Sequence, residues 1–375
     1  MSSNLTHFKE EKIFMKYRFS YLALAVLMIL AVILGACAPA AATEAPAAAP
    51  TEAPAAATTA PTAAPTVPPP ACAPIANPPT AAAGELGSPE KPIVITFVPS
   101  GDTGKITKAG TEIADCLSKM TGLSFQIEVG TTFAASIEAM GAEKAHVGFL
   151  NTFSALLGIE KYGIIPALAV MRKYNTNDVD PDKDMKGQLQ AFYKGQFIAN
   201  KESGIQSFAD LKGKTFCFVD PNSTSGYIIP RIILLANGID PDVDFAAVQN
   251  AGSHNNVGIA VYKGDCDAGV SYIDVLTDSA ANLAADYPDI TEKVYAFAVT
   301  DRIPNDGVQY IKTLPEDFQA AITEALLSMA KDPGGNAVLR GLYTINDFQA
   351  IEPTFYDSFR EVLQKAGVDP ASLVK

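Results

Sequence analysis

Three hydroxyl side chains follow one another in Asp220-Pro221-Asn222-Ser223-Thr224-Ser225-Gly226-Tyr227, between an apolar run and a helical pattern. A helix start leaves backbone N–H groups without partners and carries partial positive charge, so hydroxyls added there form a site for an oxyanion. Plain N-capping is the alternative reading, and it needs only one Ser or Thr. Three in a row, with Gly226 permitting close approach, favour a ligand. A second loop-to-helix junction, Gly252-Ser253-His254-Asn255-Asn256, offers His254 as the donor of a charge-assisted hydrogen bond to the same anion. Alone, a loop His reads as a surface residue; His254 gains weight from the hydroxyl row. His146, next to Val147 and Phe149 in an apolar run, reads as a core imidazole.

The elements that must position these groups are legible on either side of them. Residues 92–98 read as a strand, 106–120 as a helix, 123–129 as a strand, 133–140 as a helix and 145–150 as a short buried strand. A second series follows 196–199: a helix start at Ser207, strand 215–219, helices 227–237 and 256–262, and strand 268–271. Strands alternating with helices predict parallel, doubly wound sheets, and two series predict two α/β lobes. The tail over 316–375 reads as mostly helical, with amphipathic spacing over 318–329 and 355–366.

Composition excludes several function classes. The 375 residues are 48% hydrophobic and 18% charged, which supports packed domains. With 28 Lys plus Arg against 41 Asp plus Glu, the net charge of −13 rules out a fold-wide nucleic-acid footprint. Three His and five Cys, without a Cys-x-x-Cys or His-x-x-x-His pair, give a metal site no ordinary spacing, and no cofactor is expected.

The N-terminal region points to export. Lys9, Lys12, Lys16 and Arg18 precede an apolar run over 21–34 that is short for a membrane span. That run closes on Leu34-Gly35-Ala36-Cys37, which resembles the lipobox of bacterial lipoproteins. The resemblance implies a signal peptide over 1–36 and lipidation of Cys37; a plain secretory signal or a single-pass helix is the alternative. Residues 37–88 are dominated by Ala, Pro and Thr and read as a disordered, semi-stiff tether.

Several runs together resemble the phosphate/phosphonate-binding components of ABC importers. They are Phe208-Ala209-Asp210-Leu211-Lys212-Gly213-Lys214-Thr215-Phe216, Ser223-Thr224-Ser225-Gly226-Tyr227 with Pro230, Gly252-Ser253-His254, and Gly264-Asp265-Cys266-Asp267-Ala268-Gly269. The similarity extends over about 93–351, and the hydroxyl triplet followed by Gly-Ser-His is its specific core. It implies a periplasmic binding protein type II-like fold, with two doubly wound lobes joined by a two-strand hinge. The crossings would fall near 196–200 and 297–304, with residues 89–197 plus 302–375 in lobe 1 and 198–301 in lobe 2.

The resemblance also implies roles. Ser223, Thr224 and Ser225 would hold the phosphoryl or phosphonyl oxygens, His254 would complete the cradle, and Tyr193 would reach the same oxygens from the hinge. Asp274 matches an acidic side chain for a ligand amino group, though it reads equally as a helix cap. Asp306 offers a second carboxylate, although Gly307 stands where the family usually has Pro. Phe133 stands where the family commonly has Tyr, and covers the site without a hydroxyl or serves only as core.

The implied protein is not an enzyme. It is a monomeric, lipid-anchored extracytoplasmic component of an ABC transporter, with a small oxyanion as ligand, an ABC permease as partner, and no nucleic acid. Phosphate, phosphite, a sulfonate or a vitamin precursor are alternative ligands. A hydrolase with Ser225, His254 and Asp274 as a nucleophile triad is the rival class, against which stands the absence of Gly-x-Ser-x-Gly. Of the remaining cysteines, Cys72, Cys116, Cys217 and Cys266, the last two sit at second-lobe strands and are candidates for a disulfide or for core filling.

Overall fold

The computed structural model describes residues 67–369; the expected signal, Cys37 and the tether as far as residue 66 lie outside the described residues. In chain order the first lobe begins with β1 (Ile93–Phe97), α1 (Thr103–Thr121), β2 (Phe125–Val129), α2 (Phe133–Gly141), β3 (Val147–Leu150), α3 (Thr152–Tyr162), β4 (Ile165–Lys173) and β5 (Leu189–Gln190). A hinge strand β6 (Phe192–Tyr193) leads to the second lobe: β7 (Gly195–Asn200), β8 (Thr215–Phe218), α4 (Ile229–Ala236), β9 (Ala247–Asn250), α5 (His254–Lys263), β10 (Ala268–Tyr272) and β11 (Val294–Val299). The chain returns through β12 (Ile303–Pro304) to β13 (Gly307–Tyr310), α6 (Glu316–Lys331), α7 (Pro333–Tyr343), β14 (Asp347–Ala350) and α8 (Asp357–Lys365).

Each lobe is built on one sheet, in the order β14-β4-β13-β3-β1-β2 with β5 on β4, and β11-β7-β10-β8-β9. The sheets are mixed, where strand-helix alternation alone predicts parallel ones. β1 is parallel to β2 and β3, and β8 to β9 and β10, because a helix or long crossover separates consecutive strands there. The antiparallel insertions are β7 between β10 and β11, and β13 between β3 and β4. These are the two strands that arrive from the other lobe without a helical crossover. β6 and β12 pair antiparallel, Tyr193 with Ile303 and Phe192 with Pro304, so both crossings meet in one short ribbon. That ribbon lies just ahead of residues 196–200, which are already inside the second sheet.

β1 buries Ile93, Ile95 and Phe97 completely on one face, and Thr96 on the other face is also fully buried. Asp102 caps α1 by accepting from Lys105 N at 2.8 Å, and Gly122 ends it at φ +74°, a conformation glycine adopts without steric cost. Between them Ile106, Ile113, Leu117 and Met120 turn one apolar face to the sheet. Among the described residues no helix is long and apolar enough to cross a membrane.

Part of the stretch expected to be tether is fixed instead. Cys72 is disulfide-bonded to Cys116 of α1, Ile75 is buried with its N–H on Met120 O at 3.0 Å, and Ala71 N donates to Asp332 Oδ2 at 3.2 Å. A Cβ on Gly334 would lie 2.4 Å from the Pro69 backbone, so this glycine lets the segment pass over the start of α7. Composition predicts a chain unable to form its own core, and residues 71–88 do not form one; they borrow that of the first lobe. The second disulfide, Cys217–Cys266, joins β8 to the turn before β10.

Candidate functional site

The hydroxyl row begins a helix with one wide turn. Ile228 N donates to Ser223 O at 3.0 Å, a five-residue step, while Ser223 Oγ accepts from Gly226 N at 3.2 Å. Such wide turns recur at functional sites because they redirect side chains and leave backbone groups uncommitted. Gly226 is sterically required: a Cβ there would lie 2.3 Å from Val219 Cγ2 and 2.7 Å from Ser223 Oγ.

The three hydroxyls do not share one task. Thr224 Oγ1 turns to the first lobe and accepts from Asn151 Nδ2 and Phe153 N, both at 2.9 Å, leaving only its proton for anything else. Asn151 Nδ2 also donates to Asn222 O at 2.9 Å. Ser223 faces His254, and Ser225 lies buried beside the Tyr193 phenol. Burial raises the Tyr193 pKa, so the phenol stays protonated and able to donate.

His254 stands at the first position of α5, whose N-cap is Ser253. Tyr272 N donates to its Nδ1 at 3.3 Å, which assigns the ring proton to Nε2, and Nε2 lies 3.3 Å from Ser223 Oγ. Burial, aided by the charge of Arg172, lowers the imidazole pKa to about 3. The ring therefore offers a neutral N–H, whose bond to an anion would be charge-assisted through the acceptor alone. His146 accepts from Val94 N at 3.0 Å, within the first lobe.

The opposite wall is charged. Arg172 Nη2, at the end of β4, donates to Asp306 Oδ2 at 3.0 Å. Asp274 Oδ2 accepts from Asn175 Nδ2 at 3.2 Å, and no helix follows it for its side chain to cap. Burial and neighbouring Asp278 raise the Asp274 pKa to about 6. Asp278 accepts from Tyr272 Oη at 2.9 Å and from Thr344 Oγ1 at 3.0 Å.

Phe133, Tyr193, Ser223, Thr224, Ser225, His254, Asp274 and Asp306 all line one cavity of about 80 Å³ between the lobes. Its mouth is narrowed by contacts across the cleft: Lys105 Nζ donates to Ala280 O at 3.0 Å and Ala281 O at 3.2 Å, and His254 N to Ser100 O at 3.0 Å. The rival triad is not formed. His254 Nε2 addresses Ser223 rather than Ser225, and Nδ1 is occupied by Tyr272 N with Ser271 Oγ at 3.2 Å, while Asp274 bonds Asn175.

Residues 95–356 match the family model described as the periplasmic substrate-binding protein of phosphonate ABC transporters. The chain belongs to this family. Among curated relatives, the phosphate-import protein PhnD of Mycolicibacterium smegmatis is 26% identical over 215 residues, 56% of this chain and 62% of that protein. The match thus spans about three fifths of the relative's length. The fold is also that of a binding-protein component of an ABC phosphonate transporter from Pseudomonas aeruginosa, with TM-score 0.63 and 20% identity over 73% of this chain and 86% of the other. PhnD1 of Prochlorococcus marinus, solved in complex with methylphosphonate, gives 0.61 and 18% over 73% and 98%.

Two residues of this phosphonate-binding family member escape a reading of the sequence. Asn151 follows strand β3 where an N-cap is ordinary, yet its side chain makes no capping bond and reaches the other lobe. Arg172 follows the run Leu168-Ala169-Val170-Met171 and precedes Lys173; a pair of cations ending an apolar strand was the available signal.

Proposed function

We propose that this chain is the extracytoplasmic solute-binding lipoprotein of an ABC importer, which captures a phosphonate or related small phosphorus oxyanion between its lobes and presents it to a permease. The observation that carries the reading is the row Ser223-Thr224-Ser225 at a helix start, facing a neutral Nε2–H of His254 in a small cavity walled by both lobes. Hydrogen bonds to an ionised group contribute about 1.5–3 kcal/mol each, so four or five could support micromolar binding or better. The donors are aligned dipoles acting at contact distance, which makes the acidic net charge no obstacle. Contacts to both lobes exist only in the closed form, so ligand shifts the open-closed equilibrium and no turnover is required. Membership of a transporter family, and the absence of triad geometry among these residues, support a binder over a hydrolase.

The anchor is Cys37, whose lipobox-like setting supports diacylglycerol attachment and removal of residues 1–36. Residues 38–70 would then hold the lobes away from the membrane.

Calorimetric titration of the purified lobes with methylphosphonate, 2-aminoethylphosphonate, phosphate and sulfate tests the reading. Saturable one-to-one binding of a phosphorus oxyanion without product formation is expected. Indifference to all of them, or hydrolysis of a phosphorus ester, contradicts it.

A further inference from the structure

One charged pair in the cavity wall is built more firmly than its place on a binding surface requires. Arg172 Nη2 donates to Asp306 Oδ2 at 3.0 Å, and the guanidinium carbon lies 5.7 Å from the centre of the Tyr193 ring. The backbone holds the two in register. Val170 N donates to Asp306 O at 2.8 Å, and fully buried Asn305 donates from Nδ2 to Val170 O at 2.9 Å and Gln190 O at 3.0 Å. The loop carrying Asp306 is therefore clamped to the strand carrying Arg172. Arg172 Nε and Asp306 Oδ1 are buried without partners, so each group retains capacity beyond the pair.

We propose that Arg172 determines the ligand class of this site: by standing on Asp306 it takes the position a ligand ammonium would need, so the cavity selects small phosphorus oxyanions with uncharged substituents and discriminates against aminoalkylphosphonates. The inference rests on the binding reading above and narrows it.

Four carboxylates line the cavity: Asp102, an exposed residue that caps α1, and three others that each already accept at least one hydrogen bond. Asp306 is paired with Arg172. Asp278 is saturated, accepting from Tyr272 Oη, Thr344 Oγ1, Ala280 N and Ala281 N. Asp274 is bonded to Asn175, and burial together with Asp278 disfavours its charged form. Arg172 lines the same cavity, as do Lys105 and Lys173, so an ammonium entering it meets resident positive charge. Like charges at contact separation in a partly buried site repel strongly. A methyl group meets no such repulsion, and Phe133, which brings no hydroxyl, gives the cavity an apolar wall. Specificity then arises from a built-in repulsive element as well as from the oxyanion cradle.

The test is calorimetry with methylphosphonate and 2-aminoethylphosphonate on the wild-type protein and on Arg172→Met, Arg172→Lys and Asp306→Asn. Wild type is expected to bind methylphosphonate about tenfold tighter or more, a free-energy gap of about 1.4 kcal/mol. Arg172→Met narrows that ratio to about threefold or less, whereas Arg172→Lys, which keeps the charge, and Asp306→Asn, which keeps the arginine, retain it. Equal or tighter binding of 2-aminoethylphosphonate by wild type overturns the inference while leaving the phosphonate-binding reading intact, and requires no variant to fold. An unchanged ratio in Arg172→Met also overturns it. Failure of wild type to bind any phosphorus oxyanion overturns both.

Discussion

Asn151 of the first lobe and Thr224 of the second meet across the cleft, the side-chain amide donating to the hydroxyl oxygen at 2.9 Å. The same hydroxyl accepts from Phe153 N, so the start of α3 and the hydroxyl row are joined by two hydrogen bonds at one oxygen. Parting the lobes would break both bonds, so a closed form gains them over an open one.

Replacing Asn151 with Ala tests that role without touching the hydroxyl triplet. It removes the bonds to Thr224 Oγ1 and Asn222 O and leaves a buried carbonyl unpaired in the closed state. At about 1–3 kcal/mol for such a group, ligand Kd rises about 5- to 150-fold. Titration of the variant with methylphosphonate checks this, and an unchanged Kd would remove Asn151 from the closing mechanism.

His254 sets a direction for acid sensitivity. In the unfolded chain its ring takes up a proton below about pH 6.5, whereas in the fold burial delays protonation to about 3. The neutral ring's contribution is therefore complete above pH 6.5 and is lost as pH falls towards 3, at up to about 1.4 kcal/mol per unit. Urea midpoints at pH 7, 6, 5 and 4 are expected to fall less steeply in His254→Gln than in wild type. Parallel slopes would show that the ring is already charged in the folded protein.

Asp274 acts in the opposite sense. Its folded pKa is raised from 3.8, so the stability it contributes is full below that value and lost as pH rises through about 6. Asp274→Asn is expected to stabilise the unliganded protein by about 1–3 kcal/mol at pH 7 and to change little near pH 4. Thermal melts at the two pH values decide the point; a variant less stable than wild type at pH 7 would mean the carboxylate is a favourable charge in the empty cleft.

The disulfide Cys217–Cys266 closes a separation of 49 residues within the second lobe. Replacing both with Ala is expected to cost about 2–5 kcal/mol of stability, read as a lowered denaturation midpoint that reductant does not lower further at this bridge. A midpoint equal to that of the oxidised wild type would show the bond is absent in solution.

Much of this arrangement is legible in the residues. The β-rich run 92–98, the hydroxyl row and Gly252-Ser253-His254 each carry a local signal, because strand periodicity and helix-start chemistry are written in neighbouring residues. What escaped depends on partners distant in the chain. The directions of β7 and β13 follow from where each strand comes from. Asn151 looks like an ordinary cap until Thr224 is beside it, and Arg172 is unremarkable without Asp306, 134 residues away. Helix α7 falls inside the tail read as mostly helical although Gly334 and Gly335 disfavour helices in isolation; packing against α1, with Asp332 accepting from Gly335 N at 2.7 Å, overrides that preference. Cys72 sits in a stretch whose composition speaks for a tether, and only its bond to Cys116 assigns it to the first lobe.

A crystal structure grown with methylphosphonate tests the central claim most directly. Its oxygens are expected about 2.6–3.2 Å from the Ser223 and Ser225 hydroxyls, the backbone N–H groups of the row and His254 Nε2. Arg172 should still rest on Asp306. A cavity holding only water, or an anion bound away from the hydroxyl row, would contradict the claim.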